Sequence, residues 1–308
     1  MVSFGQRVLP LGGPNSGRPT AESGVETATV TELNPDGGPL RSPSHLIMLV
    51  STGRGSHTLD FVTHACRPGT LLWGRPGQVH QFGRQAGLDA TLIAFVPATL
   101  PDMPELAALQ HLVDDPFAVT CWQPAGEDEE AIVADIAQIA VDCERYGDNH
   151  LGGPLLAHEL AVLLVRIAAL APPPPRGPGA EVLAALRTEL EREVVHRRVE
   201  DYAEMLGCSV RTLTRACLAA TDRSAKQLID ERVALEAKRL LATTDLPVSD
   251  VGRHLGFDEP TNFGRFFARE AGLSPGAFRA EAHTAPQAVF PAHRQALPGR
   301  LAPGPAVH

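Results

Sequence analysis

One pattern occurs twice in the C-terminal half of the chain. Val199, Tyr202, Ala203 and Leu206 fall at i, i+3, i+4 and i+7 and are followed by Gly207; Val248, Val251, Gly252 and Leu255 repeat that spacing and are followed by Gly256. The spacing puts four small or apolar side chains on one face of a helix, and glycine supplies the positive φ that ends it. After each glycine come a short turn and a second apolar helix. In it Leu213 matches Phe263, Arg215 matches Arg265 and, further on, Ser224 matches Ser274, all at an offset of 50 residues. A helix, a glycine-containing turn and a second helix describe a helix-turn-helix, and the small residues at 203 and 252 let the two helices cross closely. A single copy would equally suit a plain αα-hairpin. Two copies with arginines at matched positions argue for one recognition unit used twice.

The second helix of each unit is expected over about 210–221 and 260–269. These stretches carry Arg211, Arg215, Arg265 and Arg269, with acidic residues only at the margins, such as Glu259 and Glu270. Arginines four apart share one helical face, and the guanidinium can donate two hydrogen bonds to guanine O6 and N7 in the major groove of double-stranded DNA. A helix carrying charge only for solubility would more often mix signs. Here the carboxylates gather on the first helix of each unit, at Glu200, Asp201, Glu204 and Asp250. The segment from Ala225 to Leu241 reads as one helix joining the units. At ~1.5 Å per residue it spans roughly 25 Å, which suits two recognition helices addressing major-groove segments one turn, ~34 Å, apart.

Upstream, residues 171–180 read Ala-Pro-Pro-Pro-Pro-Arg-Gly-Pro-Gly-Ala. Proline fixes φ and lacks a backbone N–H, so this run is a semi-rigid spacer between domains. The expected organisation is a flexible N-terminus (1–20), a first domain (21–170), the linker (171–179), a helical domain (180–283) and a disordered tail (284–308). In the first domain, β-type runs at His45–Ser51, His57–Thr63, Thr70–Trp73 and Thr91–Val96 suggest short antiparallel strands. Helices follow at 128–146, with Ile132, Ile136 and Ile139 on one face, and at 155–170, with Leu156, Leu160, Leu163, Leu164 and Ile167 on another. The fold class is therefore α+β.

The 308 residues carry 27 Lys+Arg against 36 Asp+Glu, a formal net charge of −9. Taken whole, that balance argues against a nucleic-acid binder. Its distribution argues less: residues 179–283 hold fifteen basic and seventeen acidic side chains, so most of the acidic excess lies elsewhere. The five cysteines form no C-x-x-C pair, which suits buried thiols in a reducing, cytoplasmic setting. The apolar stretch Leu155–Leu170 is broken by His158, Glu159 and Arg166 and is short for a membrane span, so no membrane partner is expected.

Three segments carry a resemblance to a known family. They are Val248-Ser-Asp-Val-Gly-Arg-His-Leu-Gly-Phe257, Asn262-Phe-Gly-Arg-Phe-Phe-Ala-Arg269 with Gly272-Leu-Ser-Pro275, and Arg232-Val-Ala-Leu-Glu-Ala-Lys-Arg-Leu-Leu241. Over roughly residues 180–280 the chain resembles the AraC/XylS-type transcriptional regulators. The resemblance implies DNA contacts from Arg211, Thr212 and Arg215 on the first recognition helix, and from Thr261, Asn262, Arg265 and Arg269 on the second. It departs from the family at Asp222, where glycine is usual, and at Gly252, where alanine is common. Asp tolerates the left-handed conformation.

The first domain resembles the family's cupin-like sensor barrel through Gly53, Gly55, Arg67-Pro-Gly-Thr70 and Pro76-Gly-Gln-Val-His80. That resemblance implies a small-molecule effector inside the barrel, with His57, Trp73 and His80 as candidate contacts, and a homodimer made by the flanking helices. Trp73 suits the core as well as a stacking platform, and His80 a structural role at its turn as well as a ligand contact. RNA polymerase is a further partner if the protein activates transcription. The competing reading is a metal-dependent cupin enzyme fused to a DNA-binding domain. It needs three convergent ligands, yet His57 and Asp60 would face opposite sides of one strand, His64 lies an odd seven positions from His57, and no Glu is in place. No enzyme, cofactor or metal is therefore expected.

Overall fold

A computed structural model of the chain describes residues 24–33, 38–82, 87–101, 112–113, 118–147, 149–171, 179–192, 194–195 and 198–284. The expectations for the N-terminus, for most of the proline linker and for the tail beyond residue 284 lie outside the described residues.

Among the described residues, the N-terminal domain has nine strands in two antiparallel sheets. In chain order they are β1 (Val25–Thr29), β2 (Leu40–Arg41), β3 (His45–Thr52), β4 (Gly55–Leu59), β5 (Val62–Cys66), β6 (Leu71–Gly74), β7 (Val79–Phe82), β8 (Asp89–Phe95) and β9 (Cys121–Trp122), with the short helix α1 (Val30–Leu33) after β1. One sheet runs β1-β8-β3-β6-β9 and the other β2-β7-β4-β5. Between them lies a lumen filled by Leu46, Met48, Val50, Leu72, Phe82 and Leu92, among others. Alternate residues of the larger sheet, Ile47, Leu49, Leu71, Trp73, Ile93 and Phe95, point the other way. Helices α2 (Glu127–Tyr146) and α3 (Gly152–Leu170) cover that outer face, and the isoleucine and leucine stripes read from the sequence are the residues they bury. By length and composition α3 is apolar enough to cross a membrane; here one side of it packs in this core.

One expectation is corrected. The run His57–Thr63 is not a single strand: β4 ends at Leu59, Asp60 and Phe61 turn the chain at φ 47° and 67°, and β5 begins at Val62. Two positive-φ residues joining antiparallel strands are the type I′ solution, which Asn-Gly or Asp-Gly usually provides. The parity argument for His64 fails with it, because His57 and His64 are directly paired across the hairpin and share a face.

The C-terminal domain is helical: α4 (Ala180–Arg192), α5 (Val199–Met205), α6 (Val210–Thr221), α7 (Ala225–Thr243), α8 (Val248–His254), α9 (Pro260–Ala271) and α10 (Pro275–Thr284). Ser209 caps α6 by accepting from the Thr212 amide, and Ser224 with Gln227 forms a capping box on α7. Asp222 sits left-handed at φ 56° after α6, where Gly272 does the same after α9. The two helix pairs pack around α7 in one core that includes Tyr202, Leu213, Val251, Phe263 and Phe267. The five cysteines are free.

Candidate nucleic-acid interface

Helices α6 and α9 each bury one face and expose the other. Leu213, Ala216 and Cys217 of α6, and Phe263, Phe266 and Phe267 of α9, turn into the core. Arg211 and Arg215 on α6, and Thr261, Asn262 and Arg265 on α9, are exposed; Thr212 is half-buried and shares a hydrogen bond with the Ser209 hydroxyl (2.9 Å). Among the described residues Arg211, Arg215 and Arg265 form no ion pair, so their guanidinium groups stand free for an external acceptor.

Arg269 differs. Its Nη2 reaches Asp230 on α7 at 3.0 Å, its Nε reaches Glu270 at 2.7 Å, and its guanidinium lies 5.3 Å from the Phe266 ring centre. The sequence placed it with the free arginines; the structure uses it to tie α9 to the joining helix. Asp230 is only 9% exposed, and nothing in the local sequence announced it as Arg269's partner.

The structure brings two of the three candidate effector contacts together. His57 Nε2 lies 3.2 Å from His80 Nδ1 inside the lumen. Burial holds both rings neutral: His57 falls well below the usual histidine value, and His80 is pushed down to about 4. Whichever ring donates, one donor and one acceptor are left over, on His57 Nδ1 and His80 Nε2, and both atoms are buried with no partner among the described residues. The His80 ring lies against Gly74, where a Cβ would come within 2.3 Å of its Cε1.

Trp73 is separated from this pair. It points out of the lumen into the core beneath α2 and α3, fully buried, and its Nε1 donates to His45 Nδ1 at 3.2 Å. Burial, with the charge of Arg75 nearby, pushes His45 down to about 3, which keeps that nitrogen an acceptor. Trp73 is therefore a core residue, and the effector contact considered for it is corrected. Strand alternation decides this: Leu72 and Gly74 face inward, so Trp73 between them faces outward. Among the described residues no three His, Cys, Asp or Glu side chains converge as a metal would require.

Two family models match the chain, a helix-turn-helix domain over residues 202–281 and an AraC-like ligand binding domain over residues 36–139. The arabinose operon regulatory protein of Salmonella typhimurium is 24% identical over 251 residues, covering 79% of this chain and 85% of that protein. The HTH-type transcriptional activator RhaR of Klebsiella pneumoniae is 26% identical over 246 residues, covering 78% of this chain and 86% of that one. Among solved structures, ToxT from Vibrio cholerae O395 is similar over 84% of this chain and 98% of its own, at 9% identity and a TM-score of 0.45.

Proposed function

The chain belongs to the AraC/XylS-type transcriptional regulators, and from that premise we propose that it reads its operator through α6 and α9, with Arg215 and Arg265 as the equivalent base-reading residues of two half-sites. One observation carries this reading. These two arginines occupy the same position in two copies of one unit, both are exposed, and neither is neutralised by a carboxylate among the described residues. Arg211, Thr212, Thr261 and Asn262 flank them, at positions suited to phosphate or base-edge contacts. Arg269 acts mainly by holding α9 in place.

The barrel lumen takes a small effector beside His57 and His80, whose unmet nitrogens offer one donor and one acceptor among the apolar side chains of the lumen. The effector regulates by binding one arrangement of the two domains better than another. The protein acts as a homodimer in the cytoplasm. The exposed residues Leu151, Leu155, Val162 and Val165 of α3 and the preceding turn, beside Val133 and Val141 of α2, support that assembly. Where the bound regulator activates transcription, RNA polymerase is its further partner. Regulation rather than catalysis is favoured because the relatives are transcriptional regulators.

Arg215→Ala and Arg265→Ala should each weaken binding to a selected operator by ~1–3 kcal/mol and relax base preference within one half-site. Titration of labelled duplexes bearing single base changes measures both effects. Full affinity with unchanged selectivity in both variants overturns the assignment.

A further inference from the structure

The β4–β5 turn of the sensor ends inside the DNA-reading domain. Asp60 accepts two hydrogen bonds from Arg239 of α7, Nε to Oδ1 at 2.9 Å and Nη2 to Oδ2 at 2.6 Å. It also accepts from the Val79 amide (3.0 Å) and from Gln78 Nε2 (2.7 Å), both at the start of β7. The pair is sealed from water, with Asp60 9% and Arg239 2% exposed. Burial alone would raise the Asp60 carboxyl, but the charge and hydrogen bonds of Arg239 outweigh it and hold the group below its ordinary value. One turn earlier on α7, Glu236 accepts from Arg41 of β2 at 2.7 Å. One turn and one strand of the sensor thus grip adjacent turns of the joining helix.

Phe61 makes the other contact. Its ring joins the core of the DNA-reading domain, meeting Phe278 of α10 edge-on at 5.3 Å. Phe278 meets Phe267 of α9 at 5.5 Å, and Phe267 meets Phe263 at 5.9 Å. A packed row of rings therefore runs from the sensor's turn to the buried face of the helix that carries Arg265. Phenylalanine at positive φ is unfavourable, and such conformations persist where the surroundings over-determine them. Here the surroundings are the other domain.

These contacts land on α7 beyond its midpoint and on α10, and α9 packs against both. We propose that Asp60 and Phe61 are positioning residues for DNA recognition: the sensor's turn holds α9 in its reading orientation, while α6 reads independently of it. The inference rests on the reading that α9 contacts DNA through Arg265. It also gives the lumen a short route to one half-site. The Asp60 amide donates to the Val79 carbonyl at 2.9 Å, next to His80, so a ligand that moves His80 moves the turn.

The test uses the full chain carrying Asp60→Asn and Phe61→Gly. Asparagine and glycine both accept positive φ, so the turn is kept while the charge and the ring are removed. Binding is measured to the duplex that the parent protein selects from a random pool. Affinity should fall roughly 2- to 30-fold. Arg265→Ala should then weaken binding less in this background than in the parent, whereas Arg215→Ala should weaken it equally in both. Unchanged affinity, or an Arg265→Ala effect as large as in the parent, overturns the proposal. If the paired variant does not fold by circular dichroism, Phe278→Leu is held to the same selective pattern and the same refutation. A parent protein that selects no duplex overturns the DNA reading itself, and that outcome is seen before any variant is made.

Discussion

Replacing Gly252 with alanine sets two known effects against each other at one position. Gly252 is buried in α8, where the first unit has Ala203. Helix propensity favours the alanine by ~1 kcal/mol. Sterics oppose it: a Cβ at 252 would lie 3.0 Å from both Cβ and Cγ of Phe263 and 3.2 Å from its Cδ1. The ring has little room to retreat, because Phe263 is fully buried with Phe257 at 5.4 Å and Phe267 at 5.9 Å. Overpacking of this kind costs ~1–3 kcal/mol, so the expected net loss is about 1 kcal/mol. The first unit pairs its alanine with the smaller Leu213. Phe263→Leu alone should cost ~1–2 kcal/mol by leaving a cavity. Adding Gly252→Ala to it should return ~1 kcal/mol, because the methyl now has space and the propensity gain is no longer cancelled. The two substitutions therefore couple favourably by about 2 kcal/mol. Urea unfolding of the four proteins, followed by the helical circular dichroism signal, measures the cycle. A Gly252→Ala protein more stable than the parent, or two additive substitutions, would refute the packing argument.

Two further outcomes follow from the sensor domain. His80 has a folded-state value near 4 against an ordinary 6.5, so the unfolded chain binds the proton first; the stability from burying a neutral ring is complete above pH 6.5 and is lost as pH falls towards 4. His80→Gln should remove ~3 kcal/mol of that acid-side loss, seen as a shallower rise of unfolding free energy between pH 4 and 6.5, and an unchanged slope counts against a neutral buried ring. Val162 and Val165 are each 49% exposed on α3; Val162→Glu with Val165→Glu should turn a dimeric parent into a monomer by sedimentation, and a parent that already sediments as a monomer removes α3 as the dimer face.

The helical half was the more legible in sequence because its signals are local. A helix repeats its face every 3.6 residues, so Val199, Tyr202, Ala203 and Leu206 declare their burial by spacing alone, and the copy at Val248 to Leu255 repeats the message. The barrel was less legible because its facts are cross-strand. Parity assigns faces only along one strand; between strands the register decides, which is why His57 and His64 share a face despite an odd separation. The β4–β5 turn gave no glycine signal, since its two positive-φ positions hold Asp and Phe. Trp73 was ambiguous for another reason. Both faces of β6 are covered, one by the lumen and one by α2 and α3, so Leu71, Leu72 and Trp73 are all buried and hydropathy does not mark the inward side.

Net charge failed for a physical reason as well. A duplex responds to charges that are exposed and unneutralised, and a sum over the sequence counts every ion alike. Arg239 and Arg232 are 2% and 3% exposed, held by Asp60, Glu236 and Glu191, and Arg41 is spent on Glu236. These ions cancel inside the protein and offer DNA nothing. Arg269 is half-spent on Asp230 and Glu270. What remains on the two recognition helices is Arg211, Arg215 and Arg265, a small charge on a chain of net −9. Sequence-independent attraction scales with the phosphates neutralised, so it should be weak for this protein at physiological salt. On the proposed reading, discrimination rests on a few oriented guanidinium groups, and an orientation that matters this much is what a clamp from the sensor onto α7 and α10 can control.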